Sequence, residues 1–69
     1  MRAELSRIDT ELADMRAQVR ELRSQLADAG PVDAADRASV ITQAEELEAL
    51  AAQLERRRET LVERLGESS

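Results

Sequence analysis

Residues 5–26 read LSRIDTELADMRAQVRELRSQL, and this stretch decides the fold. Leu5, Ile8, Leu12, Met15, Val19, Leu22 and Leu26 follow one another at alternating spacings of three and four. That is an unbroken a/d seam with a period of 3.5 residues, the pattern of a helix that buries one narrow stripe against another helix. The positions between are mainly Arg, Glu, Asp, Gln, Ser and Ala, residues that suit a solvated helical face. The seam stops at Asp28-Ala29-Gly30-Pro31. Glycine there can take the left-handed position that closes a helix, and proline cannot continue one. The first helix is therefore expected over 2–29.

Past Pro31 a second stripe begins. Asp33 is a good N-cap, and Asp36 falls three residues later, near the positive end of the helix dipole. Val40, Ala44, Leu47, Ala51, Leu54, Leu61 and Leu65 then mark the seam, broadened by Ile41, Leu50 and Val62. Between Leu54 and Leu61 one seam position is skipped and is filled by Arg57 or Arg58. Gly66 is the expected stop, which predicts a turn over 30–32, a second helix over 33–66 and a frayed tail over 67–69.

Two helices joined by so short a link lie antiparallel, so the expected fold is all-α, a single antiparallel two-helix coiled-coil hairpin. Facing residues in such a pair have a nearly constant sum of residue numbers. A sum near 70 sets Leu5 on Leu65, Met15 on Leu54, Leu22 on Leu47 and Leu26 on Ala44, and brings Asp14 towards Arg56 and Arg7 towards Glu63. A sum near 63 is the rival, with a tighter turn but Leu61, Val62 and Leu65 left in water. The first is preferred because it covers both ends of both seams. One stripe per helix is a small core, so self-association or docking on a larger protein is the further expectation.

Composition narrows the function classes. The 69-residue chain has no Cys, His, Phe, Trp or Tyr, which excludes a disulfide framework, the usual zinc sites and an aromatic core. Its formal charge of −5 argues against a general nucleic-acid binder or an anionic membrane surface. No apolar run approaches a membrane span, and MRAELSRIDTE is too charged for a signal-peptide core, so a cytoplasmic protein is expected. There is no Ser/His or Cys/His set, no Gly-rich phosphate loop and no pocket-forming carboxylate pair. The chain thus reads as a non-enzyme without cofactor, metal or small-molecule substrate, whose partners are proteins.

One segment is more than a heptad repeat: Gly30-Pro31-Val32-Asp33-Ala34-Ala35-Asp36-Arg37-Ala38, with Asp-x-x-Asp-x-Ala at Asp33, Asp36 and Ala38. Here the sequence resembles the DksA/TraR family of bacterial RNA polymerase regulators. The likeness extends to the Asp-Arg-Ala triplet and to the Glu-rich helix that begins at Gln43-Ala44-Glu45-Glu46. The resemblance implies a coiled-coil hairpin whose acidic tip enters the secondary channel of the polymerase and acts close to the active centre. The partner-binding tip would then be Asp33, Asp36, Arg37 and Ala38. Members of the family also carry a four-cysteine zinc finger and a C-terminal helix, and this chain has no cysteine. Transcript-cleavage factors of the Gre type present tip acids too, but their tip sequence is absent here, so cleavage is not implied.

A simpler reading stands beside this one. Asp at an N-cap, Asp in a first turn and Ala anywhere in a helix all stabilise the helix itself. Arg56-Arg57-Arg58 likewise carries two readings: a docking patch for an acidic surface, or arginines that lie over Leu12 and Leu61 and pair with Glu11 or Asp14. The leading functional expectation is a small transcription regulator that probes RNA polymerase with an acidic tip. The alternative is a structural or adaptor coiled coil that self-associates or binds another helical protein.

Overall fold

The computed structural model describes residues 2–28 and 33–68. Two helices, α1 (Arg2–Asp28) and α2 (Ala34–Ser68), pack antiparallel as a hairpin that extends 56 × 14 × 13 Å along its principal axes. The expected all-α hairpin is thus the fold, with no strand among the described residues. No helix among them is long and apolar enough to cross a membrane. The Gly30 and Pro31 stop signals lie outside the described residues. α2 carries on through Gly66 to Ser68 rather than stopping at the glycine, whose backbone has no positive φ. Nothing lies within 4 Å of where a Cβ on Gly66 would sit. The glycine there meets no steric need and simply forgoes helix propensity.

Cross-helix ion pairs report the register. On one flank of the seam Arg16 pairs with Glu55 and Arg23 with Glu48, each with a residue sum of 71. On the other flank Arg57 pairs with Glu4 at 2.7 Å, a sum of 61. The seam lies midway between the flanks, at a sum of 66. This sets Leu5 level with Leu61, Leu12 with Leu54, Met15 with Ala51, Val19 with Leu47, Leu22 with Ala44 and Leu26 with Val40.

The register is therefore neither 70 nor 63, and the expected pairs Asp14–Arg56 and Arg7–Glu63 do not form. The physical reasons are the apolar layering and the flanking charge together. A sum of 66 alternates a on d positions, keeps Val40 opposite an apolar partner and aligns two Arg–Glu pairs on one flank. The preferred alignment had satisfied the apolar ends alone and left Val40 unmatched. The skipped seam position is Arg58, which lies level with Ile8 and turns its guanidinium outward to Asp9 at 2.6 Å.

Packing is concentrated away from the tip. Ile8, Leu12, Ala51 and Leu61 form the buried cluster, with Leu5, Met15 and Leu54 packed against it. Leu61 is only 2% exposed. Towards the tip Ala44 is the one buried side chain among the described residues, and Leu22, Leu26, Val40 and Leu47 are half-buried. Two hydroxyls are satisfied within their helices: Thr10 donates to the Ser6 carbonyl and Thr60 to the Arg56 carbonyl, each at 3.1 Å.

Candidate functional site

The tip begins with a cap. The Asp33 carboxylate accepts the Ala35 backbone N–H at 2.9 Å, and the Asp33 carbonyl accepts the Arg37 N–H at 3.0 Å. This is the N-cap role expected from its position, and it satisfies one of the donors that a helix start leaves free. Asp36 lies in the first turn, exposed, with no hydrogen bond to its carboxylate among the described residues. It faces the favourable end of the α2 dipole. Arg37 and Ala38 are exposed as well, as are all described residues from Asp33 to Ser39.

The register adds a geometric point. At a sum of 66 the last residue of α1, Asp28, lies level with Ala38. Asp33, Asp36 and Arg37 thus lie beyond the level of Asp28, the last described residue of α1. The structure brings the four expected tip residues together on one end of a narrow rod.

Asp28 belongs with them, although the Asp-x-x-Asp-x-Ala motif does not include it. It is exposed in the last turn of α1, where its only side-chain partner among the described residues is the Ser24 hydroxyl, donating at 3.3 Å. A carboxylate there meets the negative end of the helix dipole, and no basic residue occupies that turn. Helix stability accounts for Asp33 and Asp36 but runs against Asp28. The signal was readable beforehand as an acid, with no nearby base, just ahead of a helix stop.

Charge is distributed unevenly along the rod. Residues 17–49, the tip half, hold seven acidic and three basic side chains, a net of −4. The remaining residues hold eight and seven, a net of −1, which together make the chain total of −5. Arg56, Arg57 and Arg58 lie at the opposite half. Arg57 donates to Glu4 from Nε and Nη2, and Arg58 donates to Asp9. Of the three, Arg56 alone has no carboxylate partner among the described residues. Two members of the possible docking patch thus hold the helices together, with Glu4 and Asp9 in place of the expected Glu11 and Asp14.

The hydrogen bond from Arg57 holds the Glu4 carboxyl below its ordinary pKa, against a smaller opposing push from partial desolvation. The surface grooves run along the flanks of the seam, lined by side chains such as Asp9, Leu12, Arg16, Glu55 and Arg58. No group of three carboxylates among the described residues is placed to hold a metal ion. Comparison with known protein families, with curated proteins and with solved structures gives no match to this chain.

Proposed function

We propose that this chain is a non-catalytic regulator that presents its acidic coiled-coil tip to a basic cavity of RNA polymerase, as its resemblance to the DksA/TraR family implies. Asp28 carries the reading. An acid at the C-terminal end of a helix costs about 0.3–1 kcal/mol, so its place beside Asp33 and Asp36 favours a use for negative charge at the tip beyond starting α2. A narrow rod with most of its net charge in one half also suits a probe steered by a basic surface.

The test is binding to the core RNA polymerase of the host, with helicity followed by circular dichroism. Asp28→Asn and Asp36→Asn should each weaken binding or the effect on transcription. Asp28→Asn should at the same time leave the hairpin equally or more stable. Ala38→Thr should act like Asp36→Asn. No binding at tens of micromolar, or binding unchanged by all three substitutions, would reject the polymerase reading.

The second reading, an adaptor coiled coil, draws on exposed apolar side chains on α2: Ile41 at 38%, Leu50 at 46% and Val62 at 44%. Ile41 and Val62 lie on the Arg–Glu flank and Leu50 on the other, so they do not merge into one stripe. An adaptor would tolerate the tip substitutions and fail when Leu22 or Leu47 is made polar.

A further inference from the structure

The charge pattern that fixes the register also repeats. Arg16 and Arg23 are seven residues apart, as are Glu48 and Glu55, Arg57 and Arg64, and Glu4 and Glu11. Sliding α2 by one heptad, to a seam sum seven above the observed 66, therefore gives Glu55 and Arg57 new partners, while Glu48 loses its own. Glu55 moves from Arg16 to Arg23 and Arg57 moves from Glu4 to Glu11, while Arg16 comes level with Val62. Five apolar layers form after the slide, against six before it. Ile8 comes level with Leu65, Leu12 with Leu61, Val19 with Leu54, Leu22 with Ala51 and Leu26 with Leu47.

We propose that the hairpin has two registers one heptad apart, and that sliding between them moves the tip of α2 along the rod by about 10 Å, seven residues at 1.5 Å each. The covalent link permits it once the Asp33 cap of α2 opens. Six Cα–Cα steps separate Asp28 from Ala34, with a reach of roughly 20 Å. The slid state needs about 19 Å, from an axial offset of eleven helical rises and a lateral gap of about 9 Å.

Arg58 decides which register is the ground state. In the observed one it lies level with Ile8 and donates to Asp9. After the slide it lies level with Met15, and Arg16 takes the place of Asp9. The observed state gains an attraction there and the slid state a repulsion. The slid state also gives up the layers of Val40 and Ala44 and carries Leu5, which packs against the buried cluster, past Leu65 with no apolar partner. This device does not rest on the polymerase reading, and its test involves no partner.

The chain has no native cysteine, so engineered pairs report register directly. Met15→Cys with Ala51→Cys closes in the observed register, and Leu22→Cys with Ala51→Cys closes in the slid one. Ala17→Cys with Ala51→Cys is the control, because Ala17 points outward in both and closes only when the helices separate. The 22/51 pair should oxidise roughly tenfold to a hundredfold more slowly than 15/51, for a slid state about 1.4–2.8 kcal/mol higher. It should still oxidise at least tenfold faster than 17/51.

Adding Arg58→Glu reverses the deciding charge, repelling Asp9 and attracting Arg16. It should raise the 22/51 rate relative to 15/51 by about tenfold, from surface ion-pair energies. A 22/51 rate no greater than that of 17/51, or a ratio unmoved by Arg58→Glu, overturns the proposal. Should the cysteine variants lose helicity, spin labels at the exposed positions Thr10 and Thr42 give the same answer. Two distance populations roughly 8 Å apart support two registers, and one population that Arg58→Glu leaves in place rejects them.

Discussion

Truncating Leu61 to alanine should nearly unfold the hairpin, while the same truncation at Leu50 should scarcely be felt. Both changes delete the same three carbons from the same helix. Leu61 is 2% exposed among Ile8, Leu12, Leu5, Met15 and Leu54, whereas Leu50 is 46% exposed. At Leu61 the lost transfer free energy and the cavity left behind together cost about 3 kcal/mol. At Leu50 the cost is about 0.5 kcal/mol or less, because water already reaches half the side chain. For a domain of this size about 3 kcal/mol corresponds to a fall of roughly 12–24 °C in Tm. A core this small supplies only a few kcal/mol in all, so Leu61→Ala should be largely unfolded at 37 °C. Thermal and urea melts followed by far-ultraviolet circular dichroism, at protein concentrations a hundredfold apart, measure both variants. Equal losses at the two positions would refute the reasoning. If the loss at Leu50 also grew with concentration, the exposed flank of α2 would be an interface between copies.

Three further outcomes follow from particular contacts. Asp33→Ala removes the acceptor for the Ala35 N–H and should lower stability by about 1 kcal/mol, while Asp33→Asn should retain most of it, measured by urea midpoints. Gly66→Ala meets open space inside α2 and should stabilise it by about 0.5 kcal/mol, with a higher Tm; a destabilised variant would show that the glycine has a structural task. The lowered pKa of Glu4 means that the unfolded chain takes up its proton first as pH falls. The Glu4 contribution is thus complete above the ordinary glutamate range near about 4.3 and is lost as pH drops through the lower folded value. Glu4→Gln should flatten that part of the stability–pH curve, and a curve identical to that of the unaltered chain would remove the pair from the account.

The helices and their antiparallel pairing were legible in the sequence because the three–four spacing from Leu5 to Leu26 admits only one kind of partner surface. The alignment of the two stripes was not. Aliphatic side chains of similar size pack acceptably at several offsets, so the apolar pattern alone leaves the choice among registers to smaller energies. Here those energies belong to flanking charges: Arg16 with Glu55, Arg23 with Glu48, Arg57 with Glu4. The gap between Leu54 and Leu61 was visible as a gap, but which arginine filled it depended on the register. Gly66 read as a stop, yet α2 continues past it. At the tip, the cap role of Asp33 was readable from its place before the apolar stripe. Asp28 precedes the motif, and only the register groups it with Asp33 and Asp36.

The length of the rod has an electrical consequence. At physiological ionic strength a charge is screened within about 8 Å, and the molecule is 56 Å long. Its two ends are therefore several screening lengths apart and do not sense each other. A basic surface that meets the strongly acidic half experiences a concentrated negative field, while the same surface at the opposite half meets nearly balanced charge. Encounters with such a surface would be oriented before any side chain touches it, and lowering the salt should lengthen the range of that orientation.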